Sequence, residues 1–364
     1  MALVSREEHT LWMQRALALA AKGEGKTHPN PPVGAVVVRD GLLIGAGYHR
    51  KAGGAHAEVA ALRGLRRDQT QGARLYVTLE PCSTHGRTPP CTEAILAAGI
   101  AEVIVSVKDP NPKHAGRGLR ILRKHGVHVS TGVCMQEGAA LLAPFAKWVT
   151  TGRPYVTLKM AMSLDGRIGD AQKHSQWITG LAARREVQSL RRRVDAVLVG
   201  AGTVAADNPS LLVKARSAQQ PLRVVLDGSG RITRTAKVLC DGYPTVIVVT
   251  EDCSPARRRK LAKPNVTLWA CGKGSRVDVG CLLQRLGAEG YLHVLCEGGG
   301  ALAGALLREH AVDVCRFYVA GCLLGGNGVP VTGLPGWLLE DAPRLRFADV
   351  RRVGEDVCLV ATPE

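Results

Sequence analysis

Several features that would place this chain in a particular class are scarce or missing. Its apolar stretches fall short of the roughly 18 consecutive residues expected of a membrane span, so we expect no membrane partner. Aromatic residues make up only 4% of the chain, which leaves few rings for stacking on nucleic-acid bases. The first segment has the acids Glu7 and Glu8, and Gln14 and Arg15 interrupt its apolar part, so it does not resemble a secretory signal.

The cysteines and the charge narrow the choice further. Eleven cysteines occur without regular spacing, and with no secretory signal they indicate free thiols in a reducing cytoplasm. Lys and Arg outnumber Asp and Glu by 48 to 31, for a formal net charge of +17. This charge suits nucleic acid, but it equally suits phosphorylated small molecules and nucleotides. Given the few aromatic residues, we expect a small phosphorylated substrate and no nucleic-acid partner.

The hydrophobic pattern predicts two α/β domains. Strands predicted at residues 35–38, 43–47, 74–79, 102–107 and 127–132 alternate with helices at 56–66, 91–98 and 114–126. Ser5 and Glu8 have the spacing of a capping box that opens a first helix. The polar segment KWVTTGRPY, at 147–155, is the expected boundary, which gives domains of 1–148 and 149–364.

After the boundary the alternation of strands and helices starts again. Helices are predicted at 180–194 and 301–310, and a basic cluster at 257–260 is interpreted as a solvated helix face. The predicted strands lie at 155–166, 195–200, 222–227, 245–250, 266–270, 292–300 and 313–321. No internal repeat or G-x-G-x-x-G motif appears in this half, so a Rossmann dinucleotide fold has no support.

A histidine, a glutamate and two cysteines in the first half have the residue types of a catalytic zinc site. His56 and Glu58 lie in HAEVAAL, and Cys82 and Cys91 lie in PCSTHGRTPPC. Catalytic zinc takes three protein ligands and leaves one position open, which fits His56, Cys82 and Cys91. Glu58 is then placed to carry the proton, as in nucleobase deaminases with an H-x-E segment before a Pro-Cys segment.

The alternative is a structural zinc site, which needs a fourth ligand. His85 is the one nearby candidate, and it lies in the insertion STHGRTPP between the two cysteines. Nucleobase deaminases of the general pattern space these cysteines by two residues, whereas eight intervene here. We expect this basic, proline-containing insertion to line a substrate pocket.

The motifs HPNPPVGAVVV, HAEVAAL, TLEPCSTHGRTPPC and DPNPKHAGRG resemble the deaminase half of the bifunctional riboflavin biosynthesis family. The resemblance implies a cytidine-deaminase-like three-layer domain that deaminates 2,5-diamino-6-(5-phosphoribosylamino)pyrimidin-4(3H)-one. It assigns zinc to His56, Cys82 and Cys91, and the proton shuttle to Glu58. It also assigns substrate binding to Asn30 and His49.

The motifs LKMAMSLDGRI, SQWITG, GAGTVAADNPSL and EGGGALAGALL resemble the reductase half of the same family, so the resemblance covers nearly the whole chain. It implies a dihydrofolate-reductase-like domain that uses NADPH to reduce the ribosyl side chain to ribityl. We also expect a homo-oligomer. The implied NADPH contacts are Ala161, Trp177, Thr203, Asp207, Gly299, Gly300, Ala301, Leu302, Ala303, Gly304 and Ala305. The implied substrate contacts are Ser175, Arg191, Leu211, Lys214 and Glu297.

Two positions depart from the family pattern. Lys214 stands where an arginine is usual, which keeps the charge but loses the bidentate fork. Gly228 stands where a serine is usual, so the contact to the NADPH 2′-phosphate passes to Ser229 or Arg231. Two rival interpretations remain: a tRNA deaminase with a basic auxiliary domain, and a non-enzymatic nucleotide sensor with a structural zinc.

Overall fold

The computed structural model describes residues 5–85, 89–215, 219–333 and 335–364. The chain divides into two compact units, Met1–Gly152 and Arg153–Glu364. The second unit begins four residues after the expected start at 149, because a helix runs through the polar segment as far as Thr151. Residues 147–151 of the segment belong to this helix, and Gly152, Arg153 and Pro154 connect it to the strand that begins at Tyr155.

A five-stranded sheet forms the centre of the first unit. Its order is β2-β1-β3-β4-β5, in which β1 is antiparallel to both neighbours and β3, β4 and β5 are parallel. The strands are β1 (Gly34–Arg39), β2 (Leu42–Tyr48), β3 (Arg74–Leu79), β4 (Glu102–Val107) and β5 (His128–Thr131). All five lie where the sequence predicts strands.

Helices cover both faces of this sheet. They are α1 (Arg6–Ala20), α2 (Ala57–Leu62), α3 (Arg67–Thr70), α4 (Cys91–Ala97), α5 (Arg117–Lys124) and α6 (Met135–Thr151). Met13 of α1 packs beside Val36 and Tyr76 on one face, and α6 lies on the same side, with Gly138 against Ser106. The buried residues of α2, α4 and α5 pack on the opposite face. This arrangement confirms the expected three-layer domain.

The capping box predicted for α1 is half formed. The Ser5 hydroxyl accepts a hydrogen bond from the Glu8 backbone N–H at 3.1 Å. The Glu8 carboxylate instead accepts from the Trp12 indole N–H at 3.3 Å. The serine therefore caps the helix, while the glutamate fixes a buried tryptophan one turn later.

A nine-stranded sheet forms the centre of the second unit, in the order β11-β10-β9-β8-β12-β6-β13-β16-β15. The first seven strands in this order are parallel to one another, β16 is antiparallel to β13, and β15 is antiparallel to β16. The strands are β6 (Tyr155–Ser163), β8 (Ala196–Gly200), β9 (Leu222–Leu226), β10 (Thr245–Val249), β11 (Val266–Ala270), β12 (His293–Gly298), β13 (Val314–Ala320), β15 (Leu345–Val353) and β16 (Asp356–Pro363). A separate two-stranded ribbon pairs β7 (Arg167–Gly169) with β14 (Val329–Pro330).

Helices also cover both faces of the larger sheet. They are α7 (Leu181–Arg191), α8 (Ala201–Asp207), α9 (Lys237–Cys240), α10 (Pro255–Leu261), α11 (Val279–Ala288) and α12 (Gly300–Arg308). Helices α11 and α12 bury their leucines on one face. Helices α8, α9 and α10 pack on the other face, where α7 covers the end formed by β13, β16 and β15. This doubly covered sheet is an α/β fold, as predicted.

Two further properties bear on the expectations from composition. None of the described helices combines the length and the apolar character that crossing a membrane requires. All eleven cysteines are free thiols in the described part of the chain.

Candidate active sites

Three different elements bring the predicted zinc ligands together. His56 is the extended residue just before α2, Cys82 follows the end of β3, and Cys91 is the first residue of α4. His56 Nδ1 lies 3.2 Å from Cys91 Sγ and 3.4 Å from Cys82 Sγ. All three donor atoms lie within 4.8 Å of one another. Residues far apart in sequence thus form one compact set of soft ligands.

Glu58 lies in the first turn of α2, directly beside these ligands. Its side chain is only 3% exposed, and it forms a hydrogen bond with the Cys91 thiol. Burial raises the pKa of this carboxyl to about 7, because the apolar surroundings disfavour the charged form. A carboxyl with such a pKa both accepts and releases a proton near neutral pH.

The two cysteines differ in their electrostatics. The hydrogen bond from the Cys91 thiol, helped by one from His56, lowers the pKa of Cys82 to about 4. The same bond raises the pKa of Cys91, which holds the shared proton. One thiolate is therefore stabilised by the protein alone, and a metal cation that binds both sulfurs displaces the second proton.

This donor set fits zinc. One imidazole nitrogen and two thiolates are ligands that zinc prefers, and a set of three leaves the fourth position open. His85, the candidate fourth ligand, is instead exposed and lies 3.5 Å from the Glu93 carboxylate. Among the described residues no further His, Cys, Asp or Glu joins the group. The geometry therefore fits a catalytic site better than a closed structural one.

Asn30 and His49 lie next to this site and contact each other. The Asn30 side-chain nitrogen lies 3.1 Å from His49 Nε2, and the His49 ring packs edge-on against His56 with centroids 5.5 Å apart. Burial lowers the pKa of His49, so the ring is neutral near pH 7. The structure thus brings both residues predicted to bind substrate into one cluster with a zinc ligand.

Glu80 also supports this region, and its role was not predicted from the sequence. It precedes Pro81 and Cys82, and its carboxylate accepts backbone hydrogen bonds from Asp109, Gly116 and Gly118 at 2.9–3.2 Å. It thereby ties the end of β3 to the loop DPNPKHAGRG and to the start of α5. The glutamate stands inside a quoted motif, but its role depends on a segment about thirty residues later, so the sequence carried no signal for it. The insertion between the cysteines lies partly outside the described residues, at 86–88, and its role as a pocket wall stays a prediction.

The residues predicted for the second site gather at one edge of the larger sheet. Ala161 lies near the carboxyl end of β6, and Glu297 near the carboxyl end of β12. Thr203 and Asp207 belong to α8, which follows the adjacent strand β8. Because these strands are parallel, their carboxyl ends meet at the same edge, where α/β sheets bind ligands.

The three-glycine turn has a divided role. Gly299 takes a left-handed φ of +83° before α12, and Thr203 Oγ1 lies close to it. Gly300 and Gly304 instead pack against backbone at 330–333, where an added Cβ would come within 2.3 Å of a carbonyl oxygen. Leu302 and Ala303 belong to the hydrophobic core. Of the seven residues predicted to contact NADPH here, Ala301 is exposed, Gly299 and Ala305 are partly buried, and the other four are buried.

Arg191 and Glu297 form a buried ion pair. The guanidinium donates to both carboxylate oxygens of Glu297, and it also donates to the Leu212 carbonyl at 3.1 Å. The pair lowers the pKa of Glu297 against the effect of burial. Lys159, on neighbouring β6, lies close enough to interact with both charges, and burial lowers its pKa. Lys159 was not predicted from the sequence, because a lysine within a strand is usually expected to face solvent.

The remaining predicted residues lie around this pair in different settings. The Ser175 hydroxyl donates to the Asp207 carboxylate, and Trp177 is 66% exposed with the Arg184 guanidinium 4.5 Å from its ring centroid. Leu211 is buried and takes a left-handed φ of +59°. Lys214 is exposed beside the segment 216–218, which lies outside the described residues.

Gly228 has a physical reason to lack a side chain. A Cβ at this position would lie 2.4 Å from the Ser275 carbonyl oxygen, so the loop after β11 occupies the space where a serine would stand. Arg257 donates to the Ser229 carbonyl at 2.8 Å and lies over the same turn. Arg231 is exposed. Arg257 is therefore a second basic candidate at this turn, beside Arg231, and it was not predicted from the sequence.

Comparison with known proteins matches both halves of the chain. Residues 6–107 match the family described as the cytidine and deoxycytidylate deaminase zinc-binding region, and residues 154–359 match the RibD C-terminal domain. The chain is 42% identical to the riboflavin biosynthesis protein RibD of Escherichia coli strain K12, over 96% of this chain and 97% of that protein. It is 40% identical to RibD of Bacillus amyloliquefaciens, over 97% and 96% of the two chains.

Solved structures give the same result. A structure of Acinetobacter baumannii RibD superposes with a TM-score of 0.88 at 40% identity, over 99% of this chain and 100% of that one. A diaminohydroxyphosphoribosylaminopyrimidine deaminase/5-amino-6-(5-phosphoribosylamino)uracil reductase from Thermotoga maritima superposes with a TM-score of 0.89 at 35% identity, over 99% of both chains. These matches confirm the fold predicted for each half.

Proposed function

This chain belongs to the RibD family of riboflavin biosynthesis proteins, and from that premise we propose which of its residues carry each reaction. It is a bifunctional enzyme that combines a zinc-dependent deaminase with an NADPH-dependent reductase. A tRNA deaminase with a basic auxiliary domain is not favoured, because the second half matches a RibD reductase domain. We assign deamination to residues 1–148 and reduction to 149–364.

In the deaminase, His56, Cys82 and Cys91 hold the zinc ion. Bound zinc makes water nucleophilic at neutral pH. The observation that carries this assignment is the cluster of three donor atoms within 4.8 Å, with the buried carboxyl of Glu58 beside it. Glu58 takes the proton released from water and passes it to the departing amine. A new C–O bond forms at C2 of the pyrimidinone, the C2–N bond breaks, and ammonia leaves.

The substitution Glu58→Gln tests this role. The amide keeps the shape of the side chain but cannot move a proton, so we expect deamination to fall about 10²–10⁴-fold. Zinc content and reduction of the deaminated uracil intermediate should match the parent, and both are measured on the same preparation. Deamination within tenfold of the parent would show that another group moves the proton.

In the reductase, the carboxyl edge of the sheet binds NADPH and the ribosyl substrate. The proposed NADPH contacts are the exposed ring of Trp177, Ala161, Thr203, Asp207 and the turn from Gly299 to Ala305. Bound NADPH supplies the hydride that reduces the sugar C1′. Ser175, Leu211, Lys214, Arg191 and Glu297 contact the substrate. Lys159 is a second cation that interacts with Glu297, beside Arg191, and we assign it to hold a proton close to the opening ribosylamine.

We propose that the NADPH 2′-phosphate is met by Ser229 or Arg231, with Arg257 as a further candidate, since the Ser275 carbonyl fills the side-chain space at Gly228. We propose that the enzyme works in the cytoplasm, since a reducing compartment keeps its free thiols reduced.

We also propose that it is a homo-oligomer, and an apolar patch on the second unit supports this. In this patch Phe347, Val350 and Val357 are 61%, 60% and 38% exposed, on the outer strands β15 and β16.

A further inference from the structure

His49 is enclosed by the chain in the middle of the deaminase site. It follows directly after β2, its side chain is 2% exposed, and its ring packs edge-on against that of His56. The His49 backbone N–H donates to the Val33 carbonyl at 2.9 Å, which fixes the residue beside the start of β1. The His49 ring is therefore surrounded by protein atoms and is shielded from solvent.

Each nitrogen of the His49 ring already has a partner in the protein. Nδ1 lies 3.0 Å from the Ala55 carbonyl oxygen, and a carbonyl only accepts, so Nδ1 carries the proton. In the neutral ring Nε2 is then an acceptor, and it lies 3.1 Å from the Asn30 side-chain nitrogen, which donates to it. Both polar atoms are used, and none is left to bind a ligand.

The same bond fixes the orientation of the Asn30 amide. Because the Asn30 NH₂ group faces His49, its carbonyl oxygen points away from the ring. Asn30 is partly exposed, and within the described residues its Oδ1 accepts no hydrogen bond. An amide held in this way presents an acceptor, whereas the opposite orientation would present a donor.

We propose that His49 is a positioning residue that acts through Asn30 and does not itself bind the substrate. This proposal rests on the proposed deaminase function. In it, Asn30 Oδ1 accepts a hydrogen bond from an N–H of the aminopyrimidine substrate, and His49 keeps that oxygen turned towards the substrate. The bond from Nδ1 to Ala55 holds the residue that precedes the zinc ligand His56. His49 thus sets the hydrogen-bonding polarity of the pocket, which favours rings that carry amino or N–H donors on that edge.

Two substitutions separate the two bonds of the ring. His49→Asn places an amide near Nδ1, where it can still donate to Ala55 but cannot reach Asn30. His49→Gln places an amide near Nε2, where its oxygen can still accept from Asn30. The full-length, zinc-loaded variants are compared for ammonia release without NADPH, together with Asn30→Ala and the double variant Asn30→Ala/His49→Asn. Zinc content and reductase activity report on folding.

We expect His49→Asn and Asn30→Ala each to raise the KM for deamination about tenfold, the effect of one lost hydrogen bond, with kcat changed much less. The double variant should be no worse than either single variant, and His49→Gln should keep KM within about threefold of the parent. Multiplicative effects in the double variant would show that His49 contacts the substrate independently. Loss of zinc in both His49 variants would show a purely structural role. If the parent itself releases no ammonia, the proposed function fails instead.

Discussion

Cys91 links the metal site to the helix that begins with it. Its sulfur is one of the proposed zinc ligands, while its backbone N–H donates to Cys82 Sγ at 3.3 Å. The Thr92 N–H donates to the Cys82 carbonyl at 3.2 Å, so the start of α4 holds both the sulfur and the carbonyl oxygen of Cys82. The amides at a helix start favour negative charge, which stabilises the two thiolates that the metal requires.

Replacing either cysteine tests this arrangement. Cys82→Ser and Cys91→Ser exchange a soft thiolate for a hard oxygen, so zinc affinity should fall steeply and deamination with it. Metal analysis of the purified variants should give well under one zinc per chain, against one in the parent. Cys240→Ser, an exposed cysteine of the second unit, is the matched control and should keep its zinc. Full zinc occupancy in both ligand variants would contradict the assignment.

His293 makes the second unit sensitive to acid. It begins β12, and its Nε2 forms a hydrogen bond of 2.8 Å with the Thr157 hydroxyl. Burial lowers the pKa of this imidazole from 6.5 to about 4. Between those pH values the unfolded chain binds more protons than the folded one, so acid favours unfolding. The stability contributed by the neutral ring is present above pH 6.5 and is lost as the pH falls towards 4.

We therefore expect the free energy of unfolding of the second unit to fall by about 2 kcal/mol more in the parent than in His293→Gln between pH 7 and pH 5. Glutamine keeps a hydrogen-bonding group near Thr157 but does not titrate. Urea unfolding followed by loss of reductase activity measures this unit without interference from zinc release. The same dependence on pH in both proteins would mean that other groups account for the acid sensitivity.

Individual site residues differed in how readily the sequence revealed them. His56, Glu58, Cys82 and Cys91 were predictable because their residue types and local spacing match a single kind of chemistry. Lys159 and Glu80 were not, because their roles depend on neighbours that only the folded chain supplies. The bond between Asn30 and His49 was hidden for the same reason, since nothing in the sequence indicates that these side chains meet.

At the scale of elements, α12 depends on close contact with the segment at 330–333. Gly304 packs so near the Thr332 carbonyl that an added Cβ would lie 2.2 Å from it. We expect Gly304→Ala to destabilise the second unit by about 1–3 kcal/mol, because the segment or the helix must move. Thermal unfolding of the variant, with direct measurement of NADPH affinity, checks this expectation.

Gly202 in α8 provides the matched control. It is exposed, and no heavy atom lies within 4 Å of an added Cβ. Gly202→Ala should therefore stabilise the helix by roughly 0.5–1 kcal/mol through its higher helix propensity. Opposite signs for the two substitutions would support the packing argument, whereas equal stabilisation would refute it.

The elements themselves were predictable where the hydrophobic pattern was simple. The buried parallel strands are short apolar runs, and every one of them was located from the sequence. Helix α6 was missed because its last turn, up to Thr151, is polar and contains residues typical of a linker. The hairpin of β15 and β16 was missed. Strand β15 is largely exposed and contains no continuous apolar run, and the short apolar run of β16 at 357–361 was not recognised as its partner.

At the scale of the whole molecule, the exposed patch of Phe347, Val350 and Val357 leads to a prediction about assembly. Val350 pairs with Leu359 in the β15–β16 hairpin, next to the pair formed by Phe347 and Ala361. An apolar face of this kind at the end of a sheet is commonly covered by another subunit. We expect light scattering to give a multiple of the 38.7 kDa chain mass, and Val350→Lys to reduce it to that of one chain.

Leu339→Lys is the control for this experiment, since Leu339 is 80% exposed but lies outside the patch. It should leave the mass of the parent unchanged. A monomeric parent, or an oligomer that survives Val350→Lys, would exclude the patch as the interface.

The position of the Glu80 carboxylate limits where a phosphate can bind in the deaminase. Every backbone amide at 116–120 already has an acceptor within the chain: Glu80 takes three of them, and the carbonyls of His114 and Gly116 take the other two. An anion-binding helix start is thus already neutralised by the protein's own carboxylate. The phosphate of the substrate is therefore bound elsewhere in the deaminase than at the amides that begin α5.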